Sequence, residues 1–213
     1  LNISKQHMLL YAVTDRQWLK DGESLADAVE AVLKGGATCL QLREKDAGYE
    51  EFLALALSLK PVCKKYNVPF IINDNVAIAK AVDADGVHIG QGDMSIASAR
   101  EILGKEKIIG TSAHNVAEAV KAAEDGADYI GCGAVFGSDT KTDASFLGTK
   151  GLAEICEICP LPVVAIGGIN KSNILQLKNS GTDGVALVSA LFRPRDKTKA
   201  TANMLAMAKQ ITE

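Results

Sequence analysis

Eight short apolar runs, separated by longer amphipathic segments, set the strongest limit on what this chain can fold into. The runs are "LLYAVTD", "CLQLRE", "PFIIND", "GVHIG", "KIIGTSA", "YIGCGAV", "PVVAIGG" and "GVALVSAL". They are mostly rich in Val and Ile and largely apolar on both faces. Strands of a parallel sheet buried on both faces read this way. The segments between them carry helical spacing. "SLADAVEAVLKGG" places Leu25, Ala28, Val29, Val32 and Leu33 on one face, and Gly35 and Gly36 stop it. "NVAEAVKAAEDGA" repeats the design, with Asn115 as N-cap and Gly126 as the stop.

Eight strands, each followed by a helix, fit 213 residues at about 25 to 30 residues per unit, the compact end of the range for a (β/α)8 barrel. The expectation is therefore an α/β chain forming a single-domain TIM barrel over residues 1–213, with no linker or low-complexity stretch to divide it. A doubly wound open sheet is the alternative. It calls for fewer strands and a glycine-rich turn after the first one, where this chain reads "VTDRQWLKDG". A weak internal repeat favours the barrel. "GGATCLQL", "DADGVHIG", "DGADYIGCG" and "SGTDGVALV" recur ahead of strands two, four, six and eight.

A chain this long buries about 70% of its unfolded surface without needing disulfides or a structural metal. The formal net charge of −3 creates no strong field toward nucleic acid or acidic membranes. "KPVCKK" reads as a solvated helix end. No apolar stretch reaches the ~18 residues that span a bilayer, and the opening residues lack a secretory pattern. A soluble cytoplasmic protein is expected. The five cysteines, Cys39, Cys63, Cys132, Cys156 and Cys159, are odd in number and scattered, which is no disulfide framework. Cys156 and Cys159 form a lone C-x-x-C late in a helical segment and read as small apolar residues.

In a barrel, function gathers at the carboxyl ends of the strands. Those ends carry Gln41, Arg43 and Lys45; Asn73 and Asp74; Gln91 and Asp93; Thr111, Ser112 and His114; Ser138, Thr140 and Lys141; Gly167 and Gly168; Val188 and Ser189. Asp74 and Asp93 are hard carboxylates at neighbouring ends. With an amide oxygen from Asn73 they suit Mg²⁺, which fills its other positions with water and phosphate oxygens. Either aspartate alone could instead cap the following helix. Arg43, Lys45 and Lys141 converge as cations for a polyanion, most simply a pyrophosphate leaving group. Arg43 and Lys45 could equally be a strand end salt-bridged to Glu44 and Asp46. "AIGGIN" and "LVSALF" resemble the phosphate cup of many barrels, with Gly168 allowing close backbone approach and Ser189 opening a short helix. A plain tight turn is the other reading. His88 reads as a barrel-wall side chain. His114 either lies near the site or begins the next helix. Trp18 covers the site or packs on the surface. Ser112 lies in no G-x-S-x-G elbow and no carboxylate orienter can be assigned, so no hydrolase triad is present.

Taken in order, "QLREKD", "FIINDN", "DGVHIGQGD", "GTSAH", "TKTDA" and "VAIGGI" with "LVSALF" resemble the thiamin phosphate synthase family over essentially the whole chain. The resemblance implies a TIM barrel that joins an aminopyrimidine methyl pyrophosphate to a thiazole phosphate with Mg²⁺, releasing pyrophosphate, and CO₂ as well from a carboxylated thiazole. Its partners are then small-molecule substrates. Carried over by motif, Gln41, Leu42, Arg43, Glu44 and Lys45 bind the pyrimidine pyrophosphate, with Arg43 and Lys45 on its phosphates. Asn73 and Ser112 join that pocket, and Lys141 also reaches the pyrophosphate. Arg43, Lys45, Ser112 and Lys141 form the catalytic set. Asp74 and Asp93 hold Mg²⁺. Ser138 and Thr140 contact the thiazole, with Asp139 between them, and Gly168, Val188 and Ser189 bind its phosphate.

The chain reads "GAVFGSDTK" where the family often has "GPVFPTxTK". Ala134 and Gly137 replace frequent prolines, which is expected to loosen the loop. Ser138 keeps the hydroxyl of a frequent threonine. Two rival functions share the barrel. A thiazole tautomerase resembles the chain in its phosphate cup, but usually lacks the Asn-Asp pair and the strand-four aspartate and carries histidine at the position of Ala134. A non-catalytic sensor of phosphate ligands is the other. Asn73, Asp74 and Asp93 favour the synthase over both.

Overall fold

The structure, a computed structural model, describes residues 3–137 and 146–213. Eight parallel strands close a barrel in chain order: β1 Leu10–Val13, β2 Cys39–Leu42, β3 Phe70–Asn73, β4 Gly86–Ile89, β5 Ile108–Ala113, β6 Tyr129–Cys132, β7 Val163–Ile166 and β8 Gly184–Leu187. Closure is made by β1 against β8, with Tyr11 opposite Ala186. Most strands are only four residues long, so the apolar runs in the sequence continue past the sheet into the loops that follow.

Around the barrel, a short α1 (Lys5–Met8) precedes β1, and α2 (Leu25–Lys34), α3 (Tyr49–Tyr66), α4 (Val76–Ala81), α5 (Ile96–Leu103), α6 (Val116–Glu124) and α7 (Gly148–Ile158) follow β1 to β6 in turn. The expectation of a helix after every strand fails at β7. A single 3₁₀ turn, Ile174–Leu177, replaces the helix there, and its buried Ile174 and Leu177 cover the sheet where a longer helix would. After β8 come a one-turn α8 (Ser189–Phe192) and then α9 (Lys197–Thr212). The buried face of α2 is Leu25, Ala28, Val29, Val32 and Leu33, as its spacing predicts. Asn115 caps α6 by accepting the Glu118 N–H at 2.9 Å.

Strand alternation divides the core in two. Leu40, Leu42, Ile72, Val87, Ile109, Ile130 and Leu187 face the helices. Each such side chain, fully buried, contributes about 1.5–3 kcal/mol of transfer free energy. Tyr11, Cys39, Ile71, Ile108, Tyr129, Val164 and Ala186 fill the barrel interior. Gly110 makes room there: a Cβ at that position would lie 2.1 Å from Cζ of Tyr129.

The internal repeat has a physical meaning at the amino-terminal rim. Thr38, Asp85, Asp128 and Asp183 stand just before β2, β4, β6 and β8. Each accepts with its side chain a backbone N–H near the start of the strand before: Leu10 at 2.9 Å, Phe70 at 2.8 Å, Ile109 at 2.7 Å and Val163 at 2.9 Å. Each also donates its own N–H to the carbonyl of that same residue. Four clamps of one design thus satisfy strand-end groups that the ladder leaves unpaired.

Cys39, Cys63 and Cys132 are buried and all five thiols are free. Burial pushes the Cys156 thiol up to about 12 and raises Cys159 as well, which suits packing and not redox chemistry. Among the described residues no helix is long and apolar enough to cross a membrane.

Candidate active site

The described strand-end residues gather at the carboxyl rim as the order of the strands requires, but adjacent side chains diverge. On β2, Gln41 points into the barrel and Leu42 points out into the helix layer, fully buried. Leu42 can therefore offer a ligand only its backbone. Arg43 returns to the inner side, where its charge bears on Asp74. Its N–H donates to Oγ1 of the buried Thr14 at 3.0 Å. Glu44 turns outward again and accepts from Arg16, with Nη2 at 2.7 Å. The reading of Arg43 and Lys45 as cations bridged to Glu44 and Asp46 is thus corrected. Successive residues of an extended segment face opposite sides, and among the described residues neither cation has an ion-pair partner.

Asp74 and Asp93 meet across the ends of β3 and β4. The two carboxyl groups are in hydrogen-bonding contact. Burial first, and then the neighbouring Asp93, push Asp74 up to about 6, while the Asn73 amide and Arg43 act the other way. Neither is a helix cap: Asn75 caps α4 by accepting the Ile78 N–H at 2.9 Å, and Ser95 caps α5 by accepting the Ser98 N–H at 3.1 Å. Asp74 holds a left-handed backbone, φ 61°, and its N–H donates to the His88 carbonyl at 2.7 Å. Asp93 Oδ2 accepts the Gly90 N–H at 2.7 Å. Two crowded carboxylates with no ion-pair partner among the described residues fit Mg²⁺. Among the described residues no group of three or more His, Cys, Asp or Glu is placed to hold a metal ion, so an ion here would take its other positions from water and substrate oxygens.

A hydrogen-bonded line crosses the barrel interior to reach this rim. Gln41 Nε2 donates to Tyr11 Oη at 3.0 Å, and Tyr11 Oη lies 2.7 Å from Tyr129 Oη. Tyr129 Oη lies 3.0 Å from His88 Nδ1, and His88 Nε2 lies 3.1 Å from Ser112 Oγ. Burial pushes His88 down to about 4, so the ring is neutral near pH 7 and carries one N–H. With the Gln41 amide nitrogen as the donor, one orientation gives every hydroxyl and ring nitrogen of the line a partner. Tyr11 receives from Gln41 and gives to Tyr129, Tyr129 gives to His88 Nδ1, and His88 Nε2–H gives to Ser112. The Ser112 hydroxyl hydrogen is left to point into the mouth. Gln91 Nε2 donates to the Ser112 carbonyl at 2.6 Å and fixes its backbone. The barrel-wall reading of His88 missed this line. Its polar members sit inside apolar runs, and the signal that could have found them is a histidine and two tyrosines within buried strands.

Thr111 faces outward and donates to the Ile89 carbonyl. His114 begins the turn into α6 and pairs with Glu118 Oε2 at 2.8 Å. Trp18 packs on the flank, with Arg193 5.5 Å above its ring. Gly168 has φ 65°, and a Cβ there would lie 2.6 Å from the carbonyl oxygens of Phe136 and Gly137. The close approach it permits is thus to the β6 loop. Val188 and Ser189 open α8, whose first N–H groups face no helical acceptor. Ser138, Asp139, Thr140 and Lys141 lie outside the described residues. Before them, Val135 and Phe136 donate to the Ile166 and Gly167 carbonyls at 2.9 and 3.0 Å, tying the backbone beside Ala134 to the end of β7.

Comparison with known proteins gives the family and the fold. The family described as thiamine monophosphate synthase matches residues 10–191. A thiamine-phosphate synthase of Ruminiclostridium cellulolyticum is 47% identical over 202 residues, 95% of this chain and 96% of its own. That of Caldanaerobacter subterraneus subsp. tengcongensis is 50% identical over 184 residues, 86% of each chain. Among solved structures, thiamine phosphate pyrophosphorylase from Pyrococcus furiosus superposes with a TM-score of 0.90 at 38% identity, covering 98% of this chain and 99% of its own.

Proposed function

Because the chain belongs to the thiamine monophosphate synthase family, we propose that it joins an aminopyrimidine methyl pyrophosphate to a thiazole phosphate at the carboxyl rim of the barrel, releasing pyrophosphate. The observation that carries this reading is the contact between Asp74 and Asp93 with Arg43 bearing on it. One metal site beside one polyanion cation is what departure of a pyrophosphate needs.

Asp74 and Asp93 would hold Mg²⁺, with Asn73 alongside. When bound, the ion neutralises charge on the departing pyrophosphate. Arg43 and Lys45, with Lys141, bind that pyrophosphate and stabilise it as the methylene C–O bond breaks and the electron pair leaves with oxygen. Gln41, Asn73 and Ser112 orient the pyrimidine. The electron-rich ring carries the resulting cation, and the thiazole nitrogen donates its lone pair to close the new C–N bond. Gly168, Val188 and Ser189 grip the thiazole phosphate, and Ser138 and Thr140 its ring, keeping the nitrogen within reach. Asp139 lies between Ser138 and Thr140 in the sequence. Leu42 and Glu44 enter only through their backbone.

Ser112 is not a nucleophile in this scheme. In the orientation set by the Gln41 amide, the His88 nitrogen that faces Ser112 carries the proton and the other accepts from Tyr129, which leaves Ser112 without a base. The test is product analysis by mass spectrometry from both substrates, with acid quench in the first turnover. The reading expects thiamine phosphate and no covalent pyrimidine adduct. An isomerised thiazole phosphate in place of the coupled product would overturn it.

A further inference from the structure

Past their strands, β1 and β2 continue side by side. The Thr14 N–H donates to the Gln41 carbonyl at 3.0 Å, and the Arg43 N–H returns to Thr14 Oγ1. Asp15 then caps a short 3₁₀ turn, Arg16–Trp18, by accepting the Gln17 N–H at 3.1 Å. This turn sets Arg16 over the outer side of the β2 extension. Its Nε and Nη2 both donate to Glu44 Oε2, at 2.8 and 2.7 Å, and its Nη1 donates to Glu51 Oε1 at 2.6 Å.

Glu44 is unusual in this setting. Its side chain is 6% exposed, and its second oxygen, Oε1, is buried with no hydrogen-bond partner among the described residues. A carboxylate is thus fixed in the chain between Arg43 and Lys45, incompletely satisfied, with one guanidinium to neutralise it. Exposed ion pairs contribute little. A carboxylate mostly removed from water behaves differently. Without its partner it finds another cation, takes up a proton or stays buried and charged, and burial already raises its pKa with Arg16 in place. The nearest cations along the chain are Arg43 and Lys45, which alternation turns to the other side, so Glu44 reaches them only if the β2 extension twists.

We propose that Arg16 is a positioning residue for the pyrophosphate site: by holding Glu44 on the outer side of the β2 extension, it keeps Arg43 and Lys45 available to a polyanionic ligand. The inference rests on the reading of Arg43 and Lys45 as pyrophosphate ligands, and not on the chemistry that follows binding. It predicts a particular pattern. Removing Arg16 weakens polyanion binding, and removing the Glu44 charge as well restores it. A loop brace would show no such recovery.

The experiment is calorimetric titration of the whole protein with inorganic pyrophosphate in Mg²⁺, and separately with thiazole phosphate. The proteins are wild type, Arg16→Ala, Arg16→Lys and Arg16→Ala with Glu44→Gln. The expected result is a loss of pyrophosphate affinity on the order of tenfold in Arg16→Ala. Arg16→Lys loses less, since an ammonium keeps the charge without the two-bond grip. The double variant returns to within about twofold of wild type. Thiazole phosphate affinity stays unchanged throughout. Should Arg16→Ala not fold, Arg16→Lys with and without Glu44→Gln carries the same comparison. Wild-type affinity in Arg16→Ala, or a double variant as weak as the single one, overturns the inference. If wild type binds no pyrophosphate, the inference falls together with the assignment of Arg43 and Lys45. If the binding pattern holds and the wild type makes no coupled product, the inference stands and the catalytic reading falls.

Discussion

Nε2 of His88 lies 3.1 Å from Oγ of Ser112, at the end of the line of hydrogen bonds that begins at Gln41. The line makes a buried, neutral imidazole a fixed donor and leaves the serine one proton to give. Tyr129→Phe removes the donor to His88 Nδ1 and lets the ring change tautomer. The expected outcome is a fall in kcat of about tenfold or more, as for a lost active-site hydrogen bond, with little change in the KM for thiazole phosphate. Nitrogen chemical shifts of the His88 ring check the cause. Wild type should show the Nε2–H form, and Tyr129→Phe a mixture.

The same histidine makes a stability prediction. Its folded pKa, about 4, lies below the ordinary value of 6.5. The unfolded chain therefore takes up the proton first. The His88 contribution is complete above about pH 6.5 and is lost as pH falls toward 4. Replacing His88 by Asn should flatten the decline in melting temperature over that interval.

Asp74 works with the opposite sign. Its folded pKa, about 6, lies above the ordinary 3.8. The contribution favours the metal-free fold below 3.8 and is lost as pH rises through 6. Mg²⁺ needs both carboxylates ionised. Added Mg²⁺ should therefore raise the melting temperature at pH 7.5 and leave it unchanged at pH 5. Asp93→Asn should abolish the rise.

The amino-terminal clamps predict a shared cost. Asp85→Ala, Asp128→Ala and Asp183→Ala each leave a strand N–H without its side-chain acceptor. Each should lose about 1–3 kcal/mol in chemical denaturation. Asp128 and Asp183 should lose more than Asp85, because they also accept from Arg100 and Lys5, each at 2.8 Å. Activity at 25 °C should survive in all three, since they stand at the opposite end of the barrel from the site.

Packing inside the barrel gives the fifth test. Gly110→Ala would set a methyl group 2.1 Å from the ring of Tyr129. Overpacking of this kind costs about 1–3 kcal/mol. Because Tyr129 belongs to the line that ends at Ser112, thermal stability and kcat should fall together.

How much of this was legible in the sequence depended on the kind of signal. The strands were legible because burial on both faces leaves unbroken apolar runs such as "PFIIND". The helix α2 was legible because its five core residues keep one face. The turn Ile174–Leu177 was not, because two buried residues in "NILQLK" satisfy the sheet as well as a helical stripe would. At the site, Asp74 and Asp93 could be named because strand ends converge in any barrel. The line through Tyr11, Tyr129 and His88 could not, since a strand apolar on both faces does not announce which side chains point inward. Glu44 was misplaced for a related reason. Its sequence neighbours are cations, but alternation turns them away, and its partner Arg16 arrives from another loop.

The most direct measurement of the central claim is pyrophosphate release by the purified protein. It is run with both substrates and with each alone, in Mg²⁺ and in EDTA, beside Asp93→Ala. The account predicts release only with both substrates and Mg²⁺, and a loss of at least about a hundredfold in the variant. Release from the pyrimidine pyrophosphate alone at the same rate, or undiminished release in EDTA or in Asp93→Ala, would contradict it.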